Sequence, residues 1–449
     1  MGTLPVNRLV FSVSLPMMIS MLVQALYNIV DSIFVAQLSE NALTAVSLAF
    51  PLQTLLIAVG SGTGVGINAL LSKSLGEKNF RRADDTASNG ALLYILSYAL
   101  FLVLGLTIVK PFYAGQVQNA DPEIGTLGVQ YLSIVMVFSF GLFGQFFFER
   151  LLTSTGKTIF SMASQLSGAI TNLILDPILI FGLLGMPALG VAGAAIATVI
   201  GQCVAAAVAA FCHFKCNHEI HMRLRGFRPS GQIIGTIYQV GIPSICMQSI
   251  GSVMTYCMNL ILIAYSSTAT AVFGVYYKLQ SFFFMPVFGL NNGITPIIAY
   301  SYGAGQRKRM VKTIRLSMVV AFCLMAAGFL AFESIPRSLL ALFDASEDMM
   351  AIGIPALRII GLHFLVAWFC IVAGTVFQAL GKAMFSLIVS VMRQLVVLIP
   401  AAYLLSKLFG LSAVWWAFPI AELMSCAVST IFLVRINRSI IRTLPDGNE

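Results

Sequence analysis

Long apolar runs, separated by short clusters of charge or of Gly, Pro and Asn, are the dominant pattern along the chain. Crossing a bilayer takes ~20 apolar residues as a helix, and these runs are long enough to do so. Cutting at the charged and turn-forming clusters predicts twelve helices, α1–α12, over residues 9–36, 43–72, 88–112, 127–152, 158–184, 189–214, 235–265, 270–302, 313–334, 352–379, 384–407 and 411–434. Helical periodicity is weak because most runs are apolar on nearly every face, as lipid-exposed spans are.

Composition agrees. Of 449 residues, 58% are hydrophobic and only 10% are charged, and the mean hydropathy is +0.91. Soluble domains are about a quarter charged, and disordered chains are far less apolar, so both classes are excluded. The net charge of +9 is a matter of topology, not of nucleic-acid binding. Arg8, Lys73, Lys78, Arg81, Arg82, Arg150, Lys157, Lys215, Arg223, Arg225, Arg228, Arg307, Lys308, Arg309, Lys312, Arg315, Lys382, Arg435, Arg438 and Arg442 fall at the termini and in alternate connections. Lys110, Arg337 and Lys407 fall on the other side, with Glu40, Asp121, Glu123, Asp344, Glu347 and Asp348. That asymmetry predicts a multi-pass protein of the cell (inner) membrane with both termini cytoplasmic. The eight scattered cysteines read as small buried hydrophobes, and the first apolar run is too long for a cleavable signal peptide.

The chain also repeats itself. At an offset of 227, Leu15-Pro16 meets Ile242-Pro243, Gly66-Ile67 meets Gly293-Ile294, and Gly76 meets Gly303; at 225, Gly156-Lys157 meets Gly381-Lys382. The expected fold is therefore an all-α membrane protein, its twelve transmembrane helices arranged as two pseudo-symmetric six-helix lobes, residues 1–222 and 223–449. Two parallel repeats flanking a cleft suit alternating access. A channel would repeat a pore loop, and an enzyme would need a catalytic set.

Ionisable groups within spans are costly and usually functional. Asp31 lies ~10 Å from the outer end of α1 and Asp176 ~13 Å from that of α5, at 1.5 Å per residue, so the two carboxylates sit at similar depth in one lobe. Gln24, Tyr27, Asn28 and Asp31 share a face of α1, and Asn172 lies one turn before Asp176. A carboxylate withdrawn from water is driven towards its neutral form, and a second one beside it adds to that drive. Such a pair exchanges a proton, or holds Na⁺ with Asn172 and Tyr27 as oxygen ligands. The plainer reading is two structural aspartates at broken helices, Asp176 preceding Pro177.

In the second lobe, Arg393 and Glu422 reach mid-membrane on consecutive helices, which implies an ion pair serving either as a static brace or in a substrate or gating role. Met247, Met254, Met258 and Phe283 are suited to an adaptable cation cavity, together with Gln24 and Asn28, and equally to ordinary packing. The loop from Cys212 to His221 is weak as a zinc motif, and no GxxxxGK[ST] phosphate loop occurs. His363 has no identifiable catalytic partner.

Pro16 with Asp31 fifteen residues on, Asn172-x-x-x-Asp176, and the Gly190-to-Thr198 start of α6 resemble the multidrug and toxic compound extrusion (MATE) family over essentially the whole chain. Tyr276–Ser281, Met285–Leu290 and Arg393-Gln394 are most similar to its MepA-like bacterial subgroup. The resemblance implies export of cationic amphiphilic compounds in exchange for H⁺ or Na⁺. It further implies that Asp31 and Asp176 are coupling carboxylates, with Tyr27, Asn172 and Thr198 in their network, and that α1 bends at Pro16. Some relatives carry acids in α7 and α10; here neither helix has one, which moves coupling to the first lobe. The expectation is an H⁺-coupled antiporter, with Na⁺ as the other candidate ion. It is not an enzyme and has no cofactor beyond the coupling ion. Its partners are small cationic substrates and the bilayer, with no nucleic acid, and it is a monomer. The alternatives are a lipid-linked precursor flippase, which would favour a basic cleft, and an intramembrane enzyme.

Overall fold

The computed structural model describes residues 2–116, 122–222, 227–343 and 345–445. Asp121, Arg223, Arg225 and Asp344, which entered the charge argument, lie outside the described residues, and the side chain of Glu40 does too. Among the described residues ten helices are long and apolar enough to span a membrane, twelve when each of two bent pairs counts as one span. Numbered as above, they are α1 Val6–Ala36, α2 Glu40–Gly76, α3 Phe80–Thr107, α4 in two segments (Pro122–Val137 and Phe140–Ser154), α5 Thr158–Phe181 and α6 Val191–Cys216. The second half continues with α7 Gly231–Ile263, α8 Ser267–Gly303, α9 Arg307–Ser334, α10 in two segments (Glu347–Gly361 and Phe364–Ala379), α11 Ala383–Phe409 and α12 Leu411–Ile441.

The repeat is visible in the elements themselves. Shifting α2 and α3 by 227 residues gives both ends of α8 and α9. Their start signals shift too: Ser39 and Ser266 are extended N-caps whose hydroxyls accept from the backbone N–H three residues on, each at 3.0 Å. Gly156 and Gly381, at φ +81° and +75°, end the fourth span of each half in the left-handed conformation that glycine adopts without cost.

Both fourth spans are broken, α4 by 42° and α10 by 50°. No proline sits at either break. Instead, a side chain bonds back to the carbonyl three residues earlier, Ser139 Oγ to Met136 O at 2.8 Å and His363 Nδ1 to Ile360 O at 2.6 Å. That local bond competes with the helical ladder and satisfies a carbonyl freed by the bend. His363 is thus a structural residue, its ring stacked 5.8 Å from Phe284. In α11, Met392–Leu398 widen into a π-turn just before Pro400, which removes a ladder donor.

By packing, the chain forms two compact units, Ile19–Ile245, and Met1–Met18 with Cys246–Glu449. The cuts fall 227 residues apart, two or three residues beyond Pro16 and Pro243, whereas the division expected from the repeat lay between residues 222 and 223. Each unit therefore takes the first half of one proline-containing helix from the other sequence repeat. Paired glycines explain this. A Cβ on Gly66 would lie 2.1 Å from Ile237 O, and one on Gly62 3.1 Å from Gly241 O, so α2 and the first half of α7 meet backbone to backbone. In the other unit, a Cβ on Gly293 would come 2.6 Å from Ser14 Cα, and one on Gly289 2.5 Å from Met18 Cα. Gly62-x-x-x-Gly66 and Gly289-x-x-x-Gly293 are equivalent grooves that only a closely approaching helix fills.

Candidate functional site

The unit formed by Ile19–Ile245 holds an acidic cluster built by the second half of α1 with α2, α4, α5 and α6. The α1 stripe delivers Tyr27 and Asp31 one turn apart. From α5 come Asn172, 2% exposed, and Asp176, fully buried; from α6 comes Thr198. The Asp31 and Asp176 carboxyl groups meet within hydrogen-bonding reach. The surrounding network orients the Asn172 amide so that Nδ2 donates to Asp176 Oδ2 at 2.6 Å. Its oxygen then faces Thr198, 3.2 Å from Oγ1 and 3.0 Å from the backbone N–H. Tyr27 lies beside Thr198. Oδ1 of Asp31 and Oδ1 of Asp176 are both buried without a hydrogen-bond partner.

Two members of this site had no signal in the sequence. Tyr131 on the first segment of α4 is 3% exposed and within electrostatic range of both aspartates, and Gln53 Nε2 on α2 donates to its hydroxyl at 3.4 Å. Other polar residues share their helices, Thr44, Ser47, Thr54 and Asn68 on α2 and Gln130 and Ser133 on α4, so nothing local marks these two out. Such a residue becomes visible only when the fold brings it in.

The six residues expected to line one substrate cavity are divided between the two units. Gln24 and Asn28 stay on the α1 stripe, joined by a 3.3 Å hydrogen bond from Gln24 Nε2 to Asn28 Oδ1. Met247, Met254, Met258 and Phe283 belong to the other unit. There Met254 and Met258 are buried in the apolar core, while Phe283 packs against it, its ring 5.9 Å from Phe332 and 6.2 Å from Phe364. Flexible thioethers and large rings fill helix interiors as readily as they line cavities, and here most of them fill. Met247 is half-buried.

In the same unit Arg393 Nη1 lies 3.4 Å from Glu422 Oε2, an ion pair between α11 and α12. Pro16 lies within α1 close to the division between the units.

A further carboxylate is buried in the Ile19–Ile245 unit, on the second segment of α4. Glu149, 5% exposed, accepts from Gln145 Nε2 at 2.9 Å, Ser164 Oγ at 3.0 Å and Gln165 Nε2 at 2.9 Å. Three donors satisfy it, so it braces α4 against α5 and, through Ser164 Oγ to Ala205 O at 2.8 Å, α5 against α6.

A repeated helical membrane fold with an acidic pair inside one unit has the form of a transporter. The chain belongs to the MatE family, whose model matches residues 16–178 and again 243–404, each match opening on one of the two prolines. It is 29% identical to the multidrug export protein MepA of Staphylococcus haemolyticus (strain JCSC1435), over 94% of this chain and 91% of that protein. It is 27% identical to MepA of Staphylococcus aureus (strain MSSA476), over 97% and 94%. A solved outward-facing multidrug resistance MATE family transporter superposes with a TM-score of 0.91 at 25% identity, covering 98% of this chain and 97% of that one.

Proposed function

We propose that this protein is a proton-coupled multidrug antiporter that exports lipophilic cations by alternating access, with Asp31 and Asp176 as its coupling groups. The observation that carries this reading is the carboxyl–carboxyl contact. Two ionised carboxylates ~4 Å apart repel by about 4 kcal/mol at an effective dielectric of 20. With one proton between them the same contact is a hydrogen bond. The pair therefore favours holding one positive charge, and releasing it makes the arrangement unstable.

The donor set favours H⁺ over Na⁺. A hard cation needs several oxygen ligands. Asn172 turns its NH₂ group, not its oxygen, towards Asp176, and its oxygen is engaged with Thr198. What remains free is one oxygen on each aspartate, enough for a proton or for a cationic substrate that takes its place.

Deprotonation pushes Asp31, and with it the second half of α1, away from α5. Pro16 supplies no N–H to the ladder, so that half can move while the first half keeps its packing in the Gly289/Gly293 groove. Because proton and drug stabilise different arrangements of the same helices, each lowers affinity for the other, and that difference in affinity couples one flow to the other. In this reading the protein acts as a monomer in the cell membrane with both termini cytoplasmic.

The test is purified protein in liposomes, with an imposed pH or Na⁺ gradient and a fluorescent lipophilic cation. A pH gradient is expected to drive dye movement, and Asp31→Asn and Asp176→Asn are each expected to abolish it while retaining wild-type elution on size exclusion. Transport driven by Na⁺ alone would replace the proton in this scheme. Full activity in either variant would remove the pair from coupling altogether.

A further inference from the structure

A shallow cavity of about 600 Å³, open on one side and walled by a single helix, runs along the last turns of α12, lined by Thr430, Ile431, Val434, Arg435, Arg438 and Ser439. Its chemistry changes along the helix axis. Towards the membrane interior the wall is apolar, with Ile431 65% and Val434 44% exposed. One turn on, the exposed side chains are Arg435 and Arg438. We propose that this cavity binds an anionic phospholipid, its acyl chain against Ile431 and Val434 and its phosphate between the two guanidinium groups.

Basic residues at a helix C-terminus are accounted for by the macrodipole alone. The dipole does not require a cavity, nor an arginine held in place, and both are present. Arg435 lies over the Phe385 ring at 6.0 Å, and that ring is stacked on Phe432 at 4.5 Å with the planes 15° apart. The stacked pair joins α11 to α12 and limits the orientations Arg435 can take, so less entropy is lost when an anion docks. Ser439 does not compete for the anion, because its hydroxyl donates to Arg435 O at 2.9 Å.

The occupant is fixed by charge complementarity together with the apolar wall. The exposed surface of α12 continues from the cavity through Leu423 and Ile420, so whatever fills the lower part lies against hydrocarbon. The upper part calls for a negative charge at the interface. An amphiphile with a phosphate head meets both demands, whereas a soluble anion or an acidic peptide meets only the second.

The experiment places purified full-length protein in nanodiscs of equimolar phosphatidylcholine and phosphatidylglycerol and counts retained lipids by native mass spectrometry. Wild type is expected to retain phosphatidylglycerol preferentially, by roughly fivefold for each arginine engaged. R435Q/R438Q is expected to lose that preference, and K312Q/R315Q, which removes two exposed charges from α9, to keep it. Should R435Q disturb the Phe385 stack and lower thermal stability in pure phosphatidylcholine, R438Q alone carries the test with an expected loss of about fivefold. The proposal fails if wild type retains the two lipids equally, if R435Q/R438Q retains the preference, or if both double variants lose it alike.

Discussion

At the scale of single residues, the candidate site is a matter of which atoms face which. Asn172 holds Asp176 through one short hydrogen bond and Thr198 through its oxygen. Replacing it with alanine leaves a buried carboxyl oxygen short of a donor, a cost of about 1–3 kcal/mol. Asn172→Ala is therefore expected to slow proton-driven dye transport in liposomes at least tenfold while the protein still elutes as folded. Asn172→Ser, which keeps a donor, is expected to recover part of the rate. Equal rates in wild type and Asn172→Ala would show that the amide positions nothing. Spacing on α1 and α5 made Tyr27, Asp31, Asn172 and Asp176 legible in the sequence, because a polar stripe in an apolar helix is a local signal. Tyr131 and Gln53 were not legible, since nothing in the sequence sets either apart from the other polar residues of its helix. Met254, Met258 and Phe283 suggested a cavity because sulfur and aromatic side chains suit both a cavity and a core. Burial decides between the two, and burial is not written locally.

Helix by helix, the repeat explains more than composition does. The apolar runs gave twelve spans but not their kinks: α4 and α10 read as continuous, because neither Ser139 nor His363 is a recognised helix breaker. α3 begins at Phe80, eight residues before its expected start, because Arg81, Arg82, Asp84 and Asp85 look like a loop while the Asn79 cap, accepting from Arg82 N at 3.0 Å, already opens the helix. The glycine grooves are the element-scale feature with the largest predicted cost. A methyl group at Gly66 would overlap the Ile237 carbonyl oxygen, a backbone atom that cannot rotate aside. Overpacking of this kind costs about 1–3 kcal/mol or more. Gly66→Ala and Gly293→Ala are expected to lower the midpoint of thermal unfolding in detergent. Gly144→Ala, where the new Cβ would meet only Ala206 Cβ at an ordinary 3.5 Å, should not. Equal midpoints for all three would mean that the grooves are looser than their geometry indicates.

For the molecule as a whole, sequence halves and packing units do not coincide. A duplicated chain invites division at its longest polar connection, and nothing local tells a reader that the first half of α1 packs with the second repeat, or the first half of α7 with the first. The groove glycines carry that information, but only in three dimensions. The connection itself is anchored to the first repeat: Lys157 Nζ donates to Cys216 O at 2.5 Å, Asn217 Nδ2 to Leu151 O at 3.2 Å, His221 N to Asp84 Oδ1 at 2.8 Å and Ser230 N to Asn89 Oδ1 at 3.0 Å. A fragment ending at residue 222 retains some of these anchors but lacks the α7 segment that fills the Gly62/Gly66 groove. A fragment beginning at residue 227 likewise lacks the first half of α1, whose Arg309 Nη2–Leu4 O bond of 2.7 Å and Ser14 contact close the other unit. Expressed alone, each fragment leaves a bare groove lined by backbone, and each is expected to aggregate or be degraded. Expressed together, they should assemble and restore efflux, because each supplies the half-helix the other needs. Fluorescence-detected size exclusion of the separate and co-expressed fragments measures this directly. A monodisperse 1–222 fragment on its own would show that the exchanged half-helix contributes little to that unit's stability.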